Sequence, residues 1–411
     1  MNLNRVTSCA ISRSAFGLLA SGCVYLAATA SASAALVWQD IQFGGSLSQG
    51  YLDSTNNNYP VDTKGGTFDF REYALNASRT FGTHFRLAAQ VFGEKLGKYG
   101  DDKPILDWAV ADYNFRPEIG VQAGRLKYPR SMYSDVLDLD VVRPFIFLPQ
   151  SIYDNRLRDF QASFDGAAIY GSVAIGHSSF DYKVFFGKLP MKTDSGVGDF
   201  FNTASLYRNP PGVQTLKSDN VRGAALTWNT PISGLRVNVD YSYITNLYAS
   251  GPFVAVPSLT SAINLDKSEY SSVGVEYTKG PWTLSGEYLV NRIHSTLILP
   301  AVIAPPSHSI SGSSYYYLSV ARKIGSKFEV GTYYDTAQND HPNATTVPAT
   351  IRRHDWTVGA RYDFNDHLIF KLEGHYITGE KDLFNVPSVE NPKTSIRNNM
   401  FLFAAKTTVG F

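Results

Sequence analysis

Ionisable side chains crowd one stretch of this chain. Arg125, Lys127, Arg130, Arg143, Arg156 and Arg158 stand there, with Asp135, Asp138, Asp140, Asp154 and Asp159 interleaved among them. A ladder of arginines would suit phosphate, because guanidinium forks match its oxygens, but here the aspartates nearly cancel the basic charge. Asp135, Asp138 and Asp140 are spaced to offer oxygens to calcium, yet the glycine and terminal glutamate of an EF-hand loop are missing, so a plain acidic cluster is the simpler reading. Catalytic patterns are absent too: no Gly-x-Ser-x-Gly elbow, no phosphate-binding glycine loop and no His-Glu-x-x-His pair. The eight histidines are scattered, with His84, His177 and His367 beside turn-forming residues. A formal charge of +1 gives no basic surface for nucleic acid. We expect no cofactor and no metal. The remaining chemistry is electrostatic: fixed charges of both signs, held where something else must position them.

The positioning elements read as strands. Of the 411 residues, 13% are aromatic, only 18% are charged and 33 are glycine, a composition of pleated surfaces and turns. Residues 1 to 34 read as a secretory signal peptide: Arg5 and Arg13 precede an apolar stretch that ends at Ala32-Ser33-Ala34. Alternative readings are an uncleaved anchor, or a lipoprotein box ending at Cys23. Cleavage after Ala34 removes Cys9 and Cys23, the only two cysteines, and leaves no disulfide, thiol nucleophile or thiolate metal site. No later apolar stretch is long enough for a membrane helix. Strict alternation recurs instead. Leu235, Val237, Val239, Tyr241 and Tyr243 interleave with Arg236, Asn238, Asp240 and Ser242, and similar patterns follow Phe85, Trp356 and Leu368.

Seven tight turns alternate with eight longer segments. The turns centre on Gly82, Pro117, Gly176, Pro231, Gly280, Gly325 and Asn365. The longer segments are 53–65, 96–104, 128–158, 192–217, 249–267, 297–312, 340–352 and 381–397. Together they join sixteen strands of an all-β, transmembrane, antiparallel up-and-down β-barrel spanning residues 35–411, one domain with both termini on the inner side. Sixteen strands leave about 24 residues for each strand and its share of connections, enough for a span of about ten. Eighteen strands, the alternative, would need shorter loops. Arg86, Lys183, Arg236, Asp240, Arg361, Lys371 and Glu373 then fall on the lumen face. A hydrated wall of mixed charge is the plain reading of that set.

The last strand alternates Phe401, Phe403, Ala405, Thr407, Val409 and Phe411, and the chain ends on that aromatic. This resembles the assembly signal of bacterial outer-membrane barrels, and with the signal peptide and strand count it makes the chain similar to the general-diffusion porins of Gram-negative bacteria. The resemblance implies an integral outer-membrane location amid lipid and lipopolysaccharide, handling by the barrel-assembly machinery through Phe411, and a homotrimer, for which Gly223 and Ala225 would supply a small-residue outer face. It also implies a third external loop, 128–158, folded into the lumen as the constriction. Phe145 to Leu148 between Pro144 and Pro149 suit a stiff piece packed on the wall. The constriction set is then Arg125, Lys127, Arg130, Asp135, Asp138, Asp140, Arg143, Asp154, Arg156 and Arg158, with Arg130, Arg143, Arg156, Arg158 and the first three aspartates facing water. The Pro-Glu-Phe-Gly-Gly loop motif of enterobacterial porins is absent, so ion selectivity stays open.

The expected function is passive diffusion of ions and small hydrophilic solutes, with no reaction catalysed. A pore selective for an anion or organic acid is the alternative within that class. The rival class is a barrel enzyme, a protease or phospholipase, which would need Ser or Asp paired with His at a rim.

Overall fold

The structure, a computed structural model, describes residues 36–38, 40–204, 206–339, 352–386, 389–392 and 395–411. The signal-peptide expectation for residues 1 to 34 and most of the expected connection 340–352 lie outside the described residues.

Sixteen antiparallel strands close into a barrel. In chain order they are β1 (Ile41–Ser54), β2 (Phe70–Phe81), β3 (Phe85–Leu96), β4 (Ile105–Arg116), β5 (Ile119–Lys127), β6 (Ser163–Ile175), β7 (Ser178–Lys188) and β8 (Asn220–Asn229). The second half comprises β9 (Leu235–Pro252), β10 (Thr260–Lys279), β11 (Trp282–Ile298), β12 (Ser307–Ile324), β13 (Phe328–Asn339), β14 (Arg352–Asp363), β15 (Leu368–Gly379) and β16 (Asn399–Gly410). Each pairs with the next, and β16 pairs with β1 from Leu402↔Ser54 to Gly410↔Ser46. Two three-residue pieces, Leu36–Trp38 and Thr215–Lys217, pair alongside β1 and β9 without adding a stave. The eighteen-strand alternative therefore fails. Closure satisfies the edge groups that lipid could not.

Alternation fixes what each face meets. On β9, Val239 and Tyr241 are exposed on the outside, while Asn238, Asp240 and Ser242 are buried toward the lumen. Around the barrel the outward apolar side chains form a belt that includes Leu75, Leu87, Ile169, Val184, Leu226, Val273, Leu318 and Val358. Aromatic side chains flank it on both sides. Phe180 stacks on Trp228 near the tight turns, and Trp356 lies 4.4 Å from Tyr334 toward the long loops. A belt of exposed apolar residues with two aromatic girdles matches a bilayer. In the tight turns Gly176 and Gly280 have φ of 60° and 57°, and an added Cβ would meet nothing within 4 Å, so backbone conformation alone selects glycine there.

All seven expected tight turns are present, and they define the inner side. The outer connections are L1 (55–69), L2 (97–104), L3 (128–162), L4 (189–219), L5 (253–259), L6 (299–306) and L8 (380–398), the number L7 being kept for 340–351, which lies outside the described residues. Two boundaries shift substantially. The expected loop 249–267 is mostly strand and 297–312 is half strand, because β9 to β12 run for 17 to 20 residues, beyond the roughly ten that a bilayer needs. Pairs such as Ala249↔Ile263 and Leu297↔Ser307 carry these hairpins above the belt. Gly223 and Ala225 lie on the lumen face of β8, whose outward residues are Arg222, Ala224, Leu226 and Trp228. The expectation that they form an outer small-residue face is corrected.

Candidate functional site

L3 enters the lumen and is pinned there by groups from facing walls. A loop backbone buried away from water needs partners for its N–H groups, and wall carboxylates provide them. Glu373 on β15 accepts from the N–H groups of Ile146 at 2.6 Å and Phe147 at 3.1 Å. Asp335 on β13 accepts from Ser151 N–H at 3.1 Å, and Glu287 on β11 accepts from Met132 N–H at 3.0 Å. Cations take the loop carbonyls: Lys371 donates to Asp140 O and Phe145 O, and Arg361 donates to Val141 O and Arg143 O. Phe145 drops into space left by Gly331 and Gly359, where an added Cβ would come within 2.6 and 2.9 Å of its ring. Its ring meets Tyr333 edge-on at 5.0 Å.

The charges of L3 are mostly tied to one another or to the wall. Lys127 and Arg158 bracket Asp138, and Asp107 of β4 lies 2.7 Å from Arg158 and 3.2 Å from Lys127. Asp140 is 3.0 Å from Lys371, 3.3 Å from Arg143 and 3.6 Å from Lys406, with Thr408 donating to its other oxygen. Burial would raise both aspartates. Arg158 and Lys127 outweigh it at Asp138, and Lys371, Lys406 and Arg143 outweigh it at Asp140, so both carboxyls sit well below the usual range. Arg156 forks onto Asp154 at 2.6 Å, and Arg130 donates to Ile152 O and lies over Phe160 and Tyr270. Arg130, Asp138, Asp140, Arg143, Asp154 and Arg156 are all buried. They do not face open water, which corrects the sequence expectation. Arg125 departs further, because β5 continues past it and turns it outward, onto Asp165 at 2.6 Å.

External loops cover L3. L1 and L8 bring Tyr59, Val61, Phe384, Val386 and Val389 onto Ile146 and Phe147. From the opposite side, Val197 and Phe201 in the short L4 helix Gly196–Asn202 pack with Leu148, Ile152 and Phe160. Gly196 is required by close approach, since a Cβ there would sit 1.9 Å from Arg156 O. Tyr59 is clamped between two guanidiniums, those of Arg156 at 5.0 Å and Arg353 at 5.1 Å. Arg353 also donates to the Tyr59 hydroxyl, while Arg156 donates to Asp382 O of L8 at 2.7 Å. Burial chiefly pushes the Tyr59 hydroxyl above its ordinary range, so it stays protonated. Tyr59, Asp107, Asp335, Arg353 and Asp382 escaped sequence reasoning, because each becomes significant only through partners far along the chain.

On the side of β4 to β10 the inner lumen is open. A cavity of about 990 Å³ extends from the tight turns at Thr83, Pro117, Ser233 and Gly280 to the underside of L3 at Pro129, Met132 and Asp135. Lys183, Arg236 and Asp240 line it together with Arg116, Asp181 and Glu276. Arg86 lies on the inward face of β3 beside buried Ala88 and Gln90, and Arg361, Lys371 and Glu373 are inward on β14 and β15, under L3. Asp135 therefore borders the cavity, unlike the other loop aspartates. Among the described residues no group of His, Cys, Asp and Glu could hold a metal ion. Thr357 and Asp355 both engage Nδ1 of His375, at 2.9 and 3.0 Å. A proton relay would use opposite ring nitrogens, so this trio does not form one.

No protein-family model matches the chain, and no curated protein matches it. Solved structures do. OmpT, an outer-membrane protein of Vibrio cholerae, superposes with TM-score 0.59 at 14% identity, covering 92% of this chain and 100% of that one. OmpF of Salmonella typhi gives 0.57 at 11% identity, with 91% and 99% covered. An anion-selective porin from Comamonas acidovorans gives 0.54 at 13%, with 90% and 99% covered. The fold is that of the outer-membrane porins. With its apolar belt and closed wall, the chain is an integral outer-membrane barrel.

Proposed function

We propose that the chain is a passive channel, not an enzyme, through which ions and small hydrophilic solutes cross the outer membrane past a constriction formed by L3. One observation carries this reading: a water-accessible cavity of about 990 Å³ inside a closed barrel ends on an inserted loop that the wall holds in place. The barrel sets the size limit, and the exposed charges of the inner cavity bias ions by sign. A second reading, a pore selective for an anion or an organic acid, is favoured by the packing of L1, L4 and L8 on L3, which fills much of the described outer half. Planar-bilayer recording separates the two. A general pore gives conductance that scales with salt and no block by millimolar organic acids, whereas a selective pore is blocked by its solute. A barrel that carries no current at all would overturn both.

A homotrimer belongs to the same proposal. Its support is a flat outer face on β2 to β6, where Ala77, Ala89 and Ala109 are successive cross-strand neighbours, as are Ala111, Ala123 and Ala167. Small side chains let walls approach closely. Light scattering of unheated detergent extracts tests it. Phe411 exchanges backbone hydrogen bonds with Gly45 at the closing seam, and its exposed ring suits recognition by the barrel-assembly machinery during insertion.

A further inference from the structure

At the external rim of the belt, outward cations are matched by carboxylates on several strands. Arg71 on β2 holds Asp102, Lys95 on β3 is 2.9 Å from Asp101, and Arg125 on β5 holds Asp165. The balance fails on β8 to β11. Arg222, Tyr243, Glu269 and Arg292 are direct cross-strand neighbours in one row, and Lys267 sits one step further out on β10. Glu269 is occupied by Lys267 at 2.9 Å and by the Tyr241 hydroxyl at 3.0 Å. The next acids outward, Asp219 and Asp266, accept from Asn246 and Thr296 at 2.6 Å each. Arg222 and Arg292 form no ion pair among the described residues. Arg222 and Lys267 nevertheless converge on one ring, lying 4.8 and 5.2 Å from the centroid of Tyr243. Two cations are thus gathered on one ring, and the one carboxylate beside them pairs with Lys267 alone.

Beside them, toward the mid-plane of the belt, a groove of about 620 Å³ opens on the outer wall between Val184 and Phe186 of β7 and Tyr241 of β9. Its middle is shallow-walled because the outward residue of β8 there, between Val184 and Tyr241, is Ala224. We propose that this groove holds a phosphorylated lipid of the outer leaflet, with its phosphate between Arg222 and Lys267 and an acyl chain over Ala224. A guanidinium offers paired N–H donors to phosphate oxygens, and the adjoining hydrocarbon weakens screening of that contact. A phosphate there also relieves the repulsion between the two cations. The groove faces away from the lumen, so permeating solutes do not compete for it, and the inference stands apart from conduction.

The test uses the full barrel, stripped of lipid in detergent, with lipid A, a phosphorylated glycolipid, as the probe and native mass spectrometry as the readout. R222Q/K267Q should bind it about tenfold more weakly than the unaltered chain, the loss expected when charge-assisted bonds go. The same lipid without phosphates should bind equally weakly to both. A224W fills the groove while keeping both cations and should also lose the lipid. Unheated gel mobility confirms that each variant is folded. Undiminished binding by folded R222Q/K267Q, or by the phosphate-free lipid, would overturn the proposal. So would inorganic phosphate that displaces the lipid at millimolar concentration with A224W unaffected, since the site would then be a simple anion site.

Discussion

The two halves of the lumen use the same alternating strands and hold water very differently. On the side of β7 to β9, Asp181, Lys183 and Arg236 line an open cavity and keep part of their surface exposed. On the side of β13 to β15, Lys371, Glu373, Asp335 and Arg353 project onto L3 and are almost wholly buried. An exposed charge is solvated and acts at a distance on whatever passes. A buried one must be matched locally, and removing its partner costs roughly 3–5 kcal/mol. Charges that line the cavity should therefore tune ion preference at little cost in stability, and charges that hold L3 should decide whether the loop stays in place.

Glu373 offers the strongest way to break this contrast. Glu373→Leu strands two loop N–H groups, each worth roughly 1–3 kcal/mol when buried unsatisfied. We expect L3 to leave the wall, with several-fold larger unitary conductance and a lower melting temperature. An unchanged conductance in folded protein would put the constriction elsewhere. Phe145→Ala acts on the same anchor through packing, at a cost of roughly 3–4 kcal/mol. Its expected signature is a noisier open current with frequent steps to larger levels.

The buried charges of L3 also make a pH prediction. Asp138 and Asp140 have carboxyls held below the usual range by neighbouring cations. A depressed carboxyl contributes stability that is complete above its unfolded pKa, near 3.9, and is lost only as pH falls through the lower folded value. Both carboxyls should therefore stay ionised from about pH 7 to about pH 4.5, read as carboxylate infrared bands that Asp138→Asn and Asp140→Asn remove. Protonation of either one already at pH 5 would show these pairs to be weaker than the geometry implies.

Smaller effects sharpen the other side of the comparison. Asp135→Asn, at the cavity edge, should shift reversal potential modestly toward anions without changing the melting temperature. The shift should fade in 1 M salt, where the Debye length is about 3 Å. Arg143→Ala should do the opposite, lowering stability with little direct change in ion preference. Deletion of Phe411 should reduce the amount of folded barrel in the membrane, measured by heat-modifiable gel migration, and leave the conductance of surviving channels unaltered.

Strand number and turn positions were legible because a two-residue period and glycine or proline turns are local signals. Register was not. Arg125 read as part of the constriction, yet two more residues of β5 pairing follow it and it points outward to Asp165. The charges of L3 read as water-facing because their partners lie elsewhere: Asp107 is 51 residues from Arg158, and Lys371 is 231 from Asp140. Only the closed barrel brings those positions together. Gly223 was read onto the wrong face for a related reason. In the first half of Asn220–Asn229, Val221, Gly223 and Ala225 alternate with Arg222 and Ala224, so hydropathy there points the wrong way.

The most direct test of a loop-defined constriction is the unitary conductance of the barrel with and without residues 140–151, recorded in planar bilayers at one salt concentration. The anchored loop predicts a small conductance for the intact chain and a several-fold larger one for the deletion, provided the deleted barrel still migrates as folded protein. Equal conductances in two folded barrels would contradict the placement of L3 as the narrowest part of the pore.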